Sequence, residues 1–360
     1  KGIFTYCKNK KDEKCPPWVL QSKKIKHDLA KKTIYYENVV LKVYDFPIFF
    51  FPKFSHPDPT VKRRSGLLAP SLTNSSTLGS GFSLPYFWNL AADRDLTFSP
   101  KLYLKEKPLM LAEYRQDFKD SYLTIDAGYT SGYKKIDNKK SGGGRAHFFT
   151  RFNKKLIDEK EEKSDLEITF ENVSNDTYFK VYDINTTLVD KDQNILEKTI
   201  DYSYQNKDLF FSLSPSIYED INKSGNLRHE YLLPLSIEKN IMSNSKYGLV
   251  DLSSSLKIRN YDTNKKTDFF INDFNWMSNK WINKLGFENK FEGLLKTVNY
   301  KAKNTSEYKN EKSNAELSSV LGYFSNVRLY KNDFTKNNLH TLTPKVLIRY
   351  APGHMRSVDK

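Results

Sequence analysis

Cysteine is nearly absent: Cys7 and Cys15 are the only two in 360 residues. No CxxC or HxxxH spacing accompanies them, so they carry no zinc signature. Seven residues separate them and Pro16-Pro17 follows, a spacing compatible with a local disulfide in an oxidising compartment. Histidine is scarce too. The six (His27, His56, His147, His229, His340 and His354) are scattered, and none has HExxH spacing. The glycine run "SGGGR" at 141–145 lacks a P-loop lysine and a strand–helix setting, and there is no G-x-S-x-G elbow. No catalytic pair, metal set or cofactor cradle stands out, and the residues point to no enzyme. Nor does any run approach the ~18 apolar residues of a membrane helix.

What is abundant is aromatic. Phe, Tyr and Trp make up 14% of the chain, with 24 Phe and 23 Tyr, yet the mean hydropathy is −0.67. Few soluble folds combine the two. A transmembrane β-barrel does, because only alternate residues face lipid and aromatic girdles mark the interfaces. The formal charge of +15 fits an acidic partner such as nucleic acid, phospholipid or lipopolysaccharide, or simply lysine-rich loops.

Residues 1–62 differ from the rest. "WVLQSKKIKHD" and "KTIYYENVVLKVYDFPIFFFPKFS" are β-type runs, with Val39, Leu41 and Val43 on one face. The stretch "FPIFFFPKF" is too continuously apolar for a one-sided strand, so it is buried on both sides or lines something greasy. Pro47 and Pro52 interrupt that run, and Pro57 and Pro59 punctuate the connector that follows, "SHPDPTVKRR", whose Lys62, Arg63 and Arg64 are candidate phosphate contacts. From residue 63 the pattern becomes ten-residue alternating segments separated by polar turns. In "LMLAEYRQDF" one face carries Leu109, Leu111, Glu113 and Arg115; in "SYLTIDAGYT" Asp126 shares a face with Tyr122 and Thr124. Charges inside β segments suit a water-filled or plugged barrel and are costly in a sandwich core. Alternation predicts a strand at "YFKVYDI" as well, "NAELSSVLGYF" is the nearest candidate for a helix but also alternates tolerably as a strand, and a polar loop is expected at "KKLIDEKEEKSD". The chain stops without a clear closing strand.

Within "LLAPSLTNSSTLGSGFSLPYFWNL" (67–90) a hairpin has a proline in each arm, Pro70 and Pro85, opposite each other to within about two residues across the "NSSTLG" turn. Each removes a ladder donor. Two or three bonds lost together, at ~0.5–1.5 kcal/mol each in water and more in lipid, make a local weak seam.

These residues also carry a resemblance. "FSHPDPTVKRRSGLLAPS" followed by "GFSLPYFWNLAADRDLTFSPKLY" closely resembles the junction of the LptD family of outer-membrane lipopolysaccharide-assembly proteins, in its alphaproteobacterial version. "VSNDTYFKVYDI", "DFNW" and "LTPKVLIRYAPG" add to it. The resemblance implies an all-β chain: the C-terminal part of a periplasmic β-jellyroll (1–62), then the first portion of a large antiparallel transmembrane β-barrel (63–360). It implies lipopolysaccharide transport and insertion into the outer leaflet of a Gram-negative outer membrane, without catalysis or cofactor. The implied partners are lipopolysaccharide, an LptE-like plug lipoprotein, an LptA-like periplasmic bridge and outer-membrane lipids, with no nucleic acid. Pro70 and Pro85 fall on the family's lateral-gate prolines, and Val39, Leu41, Val43, Phe46, Ile48 and Phe50 on the lipid slot. The chain departs from the family in lacking a C-terminal cysteine pair, so Cys7 and Cys15 bond each other or Cys7 meets a partner elsewhere. The early jellyroll and the gate's far side are also expected to lie outside these residues. A porin or substrate-specific channel is the alternative reading.

Overall fold

A computed structural model describes residues 2–4, 18–43, 46–58, 60–61, 63–133, 142–308, 313–333 and 338–352. Cys7, Cys15 and Lys62 lie outside the described residues. Among the described residues the chain is all-β apart from one turn of α-helix and one of 3-10 helix.

The N-terminal strands Gly2–Phe4, Trp18–Asp28, Thr33–Val43 and Phe46–Pro57 form a four-stranded antiparallel sheet in chain order. Its packed face holds Leu20, Tyr36 and Val39, flanked by Ile34, Leu41, Phe51 and Phe54. Tyr36 and Val39 differ by three positions, yet strict alternation would put them on opposite faces. The break is Asn38, at φ 51, a left-handed conformation that asparagine tolerates. The Ser22 hydroxyl, 2.8 and 3.0 Å from the carbonyls of Lys24 and Glu37, satisfies the interrupted ladder there.

All the later strands but one projecting pair belong to one antiparallel barrel. The first stave is split into Gly66–Leu67 and Ser71–Ser75, the second into Gly79–Ser83 and Tyr86–Ala91. Regular staves follow, including Arg94–Tyr103, Leu109–Phe118, Ser121–Thr130, Arg145–Asp158 and Lys163–Val173. The order closes on itself where Lys345–Tyr350 adjoins the first stave. Lys345–Tyr350 has a residue-by-residue register with Asn314–Asn326, and the first stave has one with the second. Between Lys345–Tyr350 and the first stave there is none among the described residues.

The two faces of this sheet are chemically opposite. Phe98, Ala112, Ala127 and Phe148 stand in register on the outside, where Trp88, Met110, Tyr129, Phe170, Phe270 and Leu295 are also exposed. Inside are ion pairs such as Arg115–Asp95 at 2.9 Å, Lys296–Asp273 at 3.2 Å and Arg349–Glu292 at 3.1 Å. The polar residues of the outer wall bond one another: Ser254 donates to Asn272 (2.7 Å), which donates to Thr297 (3.2 Å). An unpaired polar group facing hydrocarbon would cost several kcal/mol.

Two local expectations change. "YFKVYDI" is not a strand: Tyr178–Tyr182 is an α-helix whose Tyr178, Phe179 and Tyr182 are buried at helical spacing. Five residues are too few for the two periods to be told apart, and tertiary packing decides. The "KKLIDEKEEKSD" stretch is mostly paired strand, turning only at 159–162, with the Glu159 N–H on the Glu162 carbonyl at 2.9 Å. A ladder running past the apolar belt accepts lysine and glutamate on both faces. "NAELSSVLGYF" is strand, within Asn314–Asn326.

Candidate functional site: a broken first stave, a clasped connector and a filled mouth

The N-terminal sheet splits the expected slot residues. Val39 pairs with Phe51 and Leu41 with Phe49, so these four share the packed face; the Phe49 and Phe51 rings lie 4.7 Å apart. Phe50 pairs with Val40 on the opposite face, Ile48 sits at the bulge where the register steps, and Phe46 pairs with Val43 beyond it. Val39 is fully buried, whereas Phe46, Ile48, Phe49 and Phe50 are 75%, 55%, 56% and 55% exposed, so pairing and not exposure distinguishes the faces. Phe49 and Phe51, which complete the Val39 face, are not in the expected set. The unbroken apolar run Phe46–Phe51 carries no parity of its own, so only pairing reveals the face. Beneath it, the His56 Nδ1–H donates to the Pro57 carbonyl (2.6 Å), which leaves Nε2 to accept from the Tyr36 hydroxyl (2.6 Å). Burial raises the Tyr36 phenol above its ordinary value.

The connector is held from both sides. Arg63 donates to the Ala92 carbonyl (2.7 Å) and to Asp95, a barrel residue that also takes Arg115. Arg64 reaches back to the Lys31 carbonyl (3.1 Å) and to Thr33. Asp58 pairs with His27, and the Thr60 backbone N–H donates to its carboxylate (2.8 Å). That N–H, more than the imidazole, holds Asp58 below the usual carboxylate range. Adjacent arginines thus clasp the barrel rim and the sheet, around a cavity of about 630 Å³ that both line.

Pro70 and Pro85 lie where the first two staves break. Leu68 N–H donates to the Pro85 carbonyl at 2.8 Å; the return bond that such a pair normally makes needs an N–H that Pro85 lacks. Above the break Ser71 pairs with Ser83, below it Leu67 pairs with Tyr86, and the register has stepped by one residue. On the third stave Ser83 pairs with Lys101 and Tyr86 with Phe98, which brings Pro100 level with Leu84. Three prolines on three successive staves therefore meet at one height. Pro100 went unnoticed in the sequence, although the same constant-sum pairing across the 92–93 turn points to it. A similar break occurs elsewhere: Leu209–Leu213 and Ser216–Asp220 flank Pro215, whose neighbour across the ladder is Pro234. There, ladders continue on both sides.

At the far mouth, away from the connector, a segment is packed on part of the inner wall. The segment 174–194 folds onto inward residues Leu109, Leu111, Phe149 and Val173, burying its own Tyr178, Phe179, Tyr182, Ile184 and Val189. Phe179 meets Phe149 edge-on at 5.5 Å. His147 is fully buried between the Asp126 carboxylate (2.7 Å from Nε2) and the Tyr178 hydroxyl (3.3 Å from Nδ1). Desolvation pushes the Tyr178 phenol well above its ordinary value. Lys101 donates to the carbonyls of Tyr182 (3.4 Å) and Asp183 (3.0 Å), capping the helix C-terminus with a cation. Thr187 donates to Glu113 (2.5 Å) and Gln193 to Glu171 (2.6 Å).

An apolar outer wall around an ion-paired interior is the inside-out arrangement of a membrane-spanning β-barrel, here preceded by a separate greasy sheet and with a segment packed inside one end. No family model matches the chain. Its curated homologues carry the name LPS-assembly protein LptD: one from Shewanella frigidimarina is 27% identical over 259 residues, 69% of this chain and 31% of the relative. One from Shewanella oneidensis is 36% identical over 105 residues (28% and 14%), and one from Legionella pneumophila 25% over 203 (52% and 23%). The chain spans about a third of the length of the relatives it matches most extensively.

Proposed function

We propose that this chain forms part of a lipopolysaccharide transporter in the Gram-negative outer membrane. The lipid is received on the periplasmic N-terminal sheet from an LptA-like bridge. Its acyl chains leave sideways through a gate whose first lip is the stave 66–75. The carrying observation is that this stave is broken at Pro70, beside a second stave broken at Pro85, while its other side has no registered neighbour among the described residues. The sugars pass through the lumen, which an LptE-like lipoprotein plugs. Arg63 and Arg64 keep the sheet and the barrel aligned, and they meet lipid A phosphates only by surrendering their present bonds. The passive-channel reading leaves both the proline row and the greasy sheet without a use.

The test uses the full-length protein in cells. Replacing Pro70 and Pro85 by alanine restores the missing donors, and surface lipopolysaccharide falls. The matched pair Pro215→Ala and Pro234→Ala, on another part of the wall, leaves it unchanged. Equal loss from both pairs, or none from the first, overturns the gate.

A further inference from the structure

Turns at the connector end of the barrel are short, such as those at 92–93, 119–120 and 245–247. The connection between Asn314–Asn326 and Lys345–Tyr350 is not. Asn326 pairs with Lys345, Val327 N–H donates to the Pro344 carbonyl (3.3 Å), and Leu329–Asp333 then pairs with Asn338–Leu342 from Leu329 opposite Leu342. The register never slips, so the two staves continue as a single ribbon beyond the rim. The neighbouring stave stops at that level, since Glu288 lies opposite Asn326. At about 3.3 Å per residue the paired ribbon reaches roughly 17 Å further.

The ribbon mixes apolar and cationic residues on both faces and has no neighbouring strand among the described residues. Leu329, Tyr330, Leu339 and Leu342 are 48%, 61%, 64% and 65% exposed. The stretch 327–345 carries Arg328, Lys331, Lys336 and Lys345 against the single acid Asp333. Below it, the outer wall is continuous with Leu321, Val346 and Ile348, also exposed. Leucine and tyrosine interleaved with lysine and arginine at the edge of an apolar wall are the chemistry of a bilayer interface, where rings and aliphatic groups enter the headgroup–acyl boundary and cations meet anionic headgroups.

We propose that the ribbon formed by Leu329–Asp333 and Asn338–Leu342 is a membrane-interface arm. It lies in the headgroup layer of the leaflet at the connector end, its apolar side chains in the lipid and its cations on anionic phospholipid. The proposal rests on the membrane-barrel reading above. For the test, the full-length protein carries a genetically encoded environment-sensitive fluorophore at Leu339, at Leu342 or, as reference, at Leu321 on the outer wall. Each is reconstituted in phosphatidylethanolamine vesicles with or without phosphatidylglycerol and a spin-labelled lipid quencher. The expected result is blue-shifted, lipid-quenched emission at Leu339 and Leu342, strengthened by phosphatidylglycerol, with that strengthening lost in the Arg328→Glu, Lys331→Glu, Lys345→Glu variant. Red-shifted, unquenched emission at both ribbon positions with quenching at Leu321 overturns the arm and leaves the barrel in the membrane. Blue-shifted emission that no lipid quenches also overturns it, in favour of a protein partner. Quenching at none of the three overturns the membrane reading and the arm together.

Discussion

Gly128→Ala is the sharpest probe of the segment packed at the far mouth. A Cβ at Gly128 would lie 2.5 Å from His147 Cε1, 2.7 Å from Leu111 Cδ2 and 2.7 Å from the Tyr178 hydroxyl. None of these neighbours can retreat easily: His147 is held by Asp126, and Leu111 and Tyr178 are buried. Two of the three belong to the barrel wall, so Tyr178 and its helix are the group that gives way. Overpacking of this kind costs about 1–3 kcal/mol. If that falls on the docked segment alone, its undocked population rises about 5- to 150-fold. Hydrogen exchange of the 174–194 amides in the purified full-length protein reads this directly, as does trypsin cleavage at Lys180 and Lys191. Gly66→Ala, where a Cβ meets nothing within 4 Å, serves as the silent control. Unchanged protection of 174–194 in Gly128→Ala would refute the packing described here.

Further outcomes follow from the other contacts. A photo-crosslinking residue at Phe49 captures lipopolysaccharide and one at Phe50 does not, since Phe49 shares the face of Val39 and Leu41; adducts at Phe50 alone would reverse the slot face. Asp95→Asn loosens the connector by less than the ~3–5 kcal/mol of a fully buried pair, because Arg63 and Arg115 are 40% and 35% exposed; faster exchange at 63–66 measures it. Tyr36→Phe removes the hydroxyl on His56 and costs about 0.5–1.5 kcal/mol, seen as faster exchange in Thr33–Val43 without change in the barrel. Asp58 titrates lower in the folded chain than unfolded, so its anchoring of the connector is intact above the unfolded value near ~4. It is lost only as pH falls through the lower folded value. An Asp58–Thr60 contact that disappears between pH 7 and 5 would contradict this.

Much of the barrel was legible because its signal is local. Leu109, Leu111, Glu113 and Arg115 share a face in the sequence and in the structure, and the same holds for Thr124 and Asp126. Where two signals coincide in a short stretch the reading fails, as at Tyr178–Tyr182, whose helix exists only because the inward faces of Leu109 and Phe149 receive it. The N-terminal sheet was readable as strands but not as faces. Asn38 inverts the parity between Tyr36 and Val39, and nothing in "YYENVV" announces a left-handed asparagine. The phosphate candidates Arg63 and Arg64 were visible as a basic run; that they turn to opposite partners depends on Asp95 and on the 29–32 turn, which only the fold brings near.

The proline pair is the feature on which sequence and structure meet most closely, and its limits are instructive. Pro215 and Pro234 make the same arrangement in another part of the wall, so mirrored prolines by themselves do not mark a gate. In both places the lost donors leave a gap in one ladder. Around Pro215 the staves before and after are paired along their length, and the gap is bridged by continuous sheet on either side. Around Pro70 the break falls in a stave with a registered ladder on one side only among the described residues, and Pro100 extends the weakness one stave inward. The cost of parting strands is the sum of the bonds that remain, at about 0.5–1.5 kcal/mol each in water and more in lipid. A stave with a ladder on one side and a gap in that ladder has the fewest to lose. The single registered ladder, more than proline itself, sets this hairpin apart from the one at Pro215 and Pro234, and it is what supports the gate proposed here.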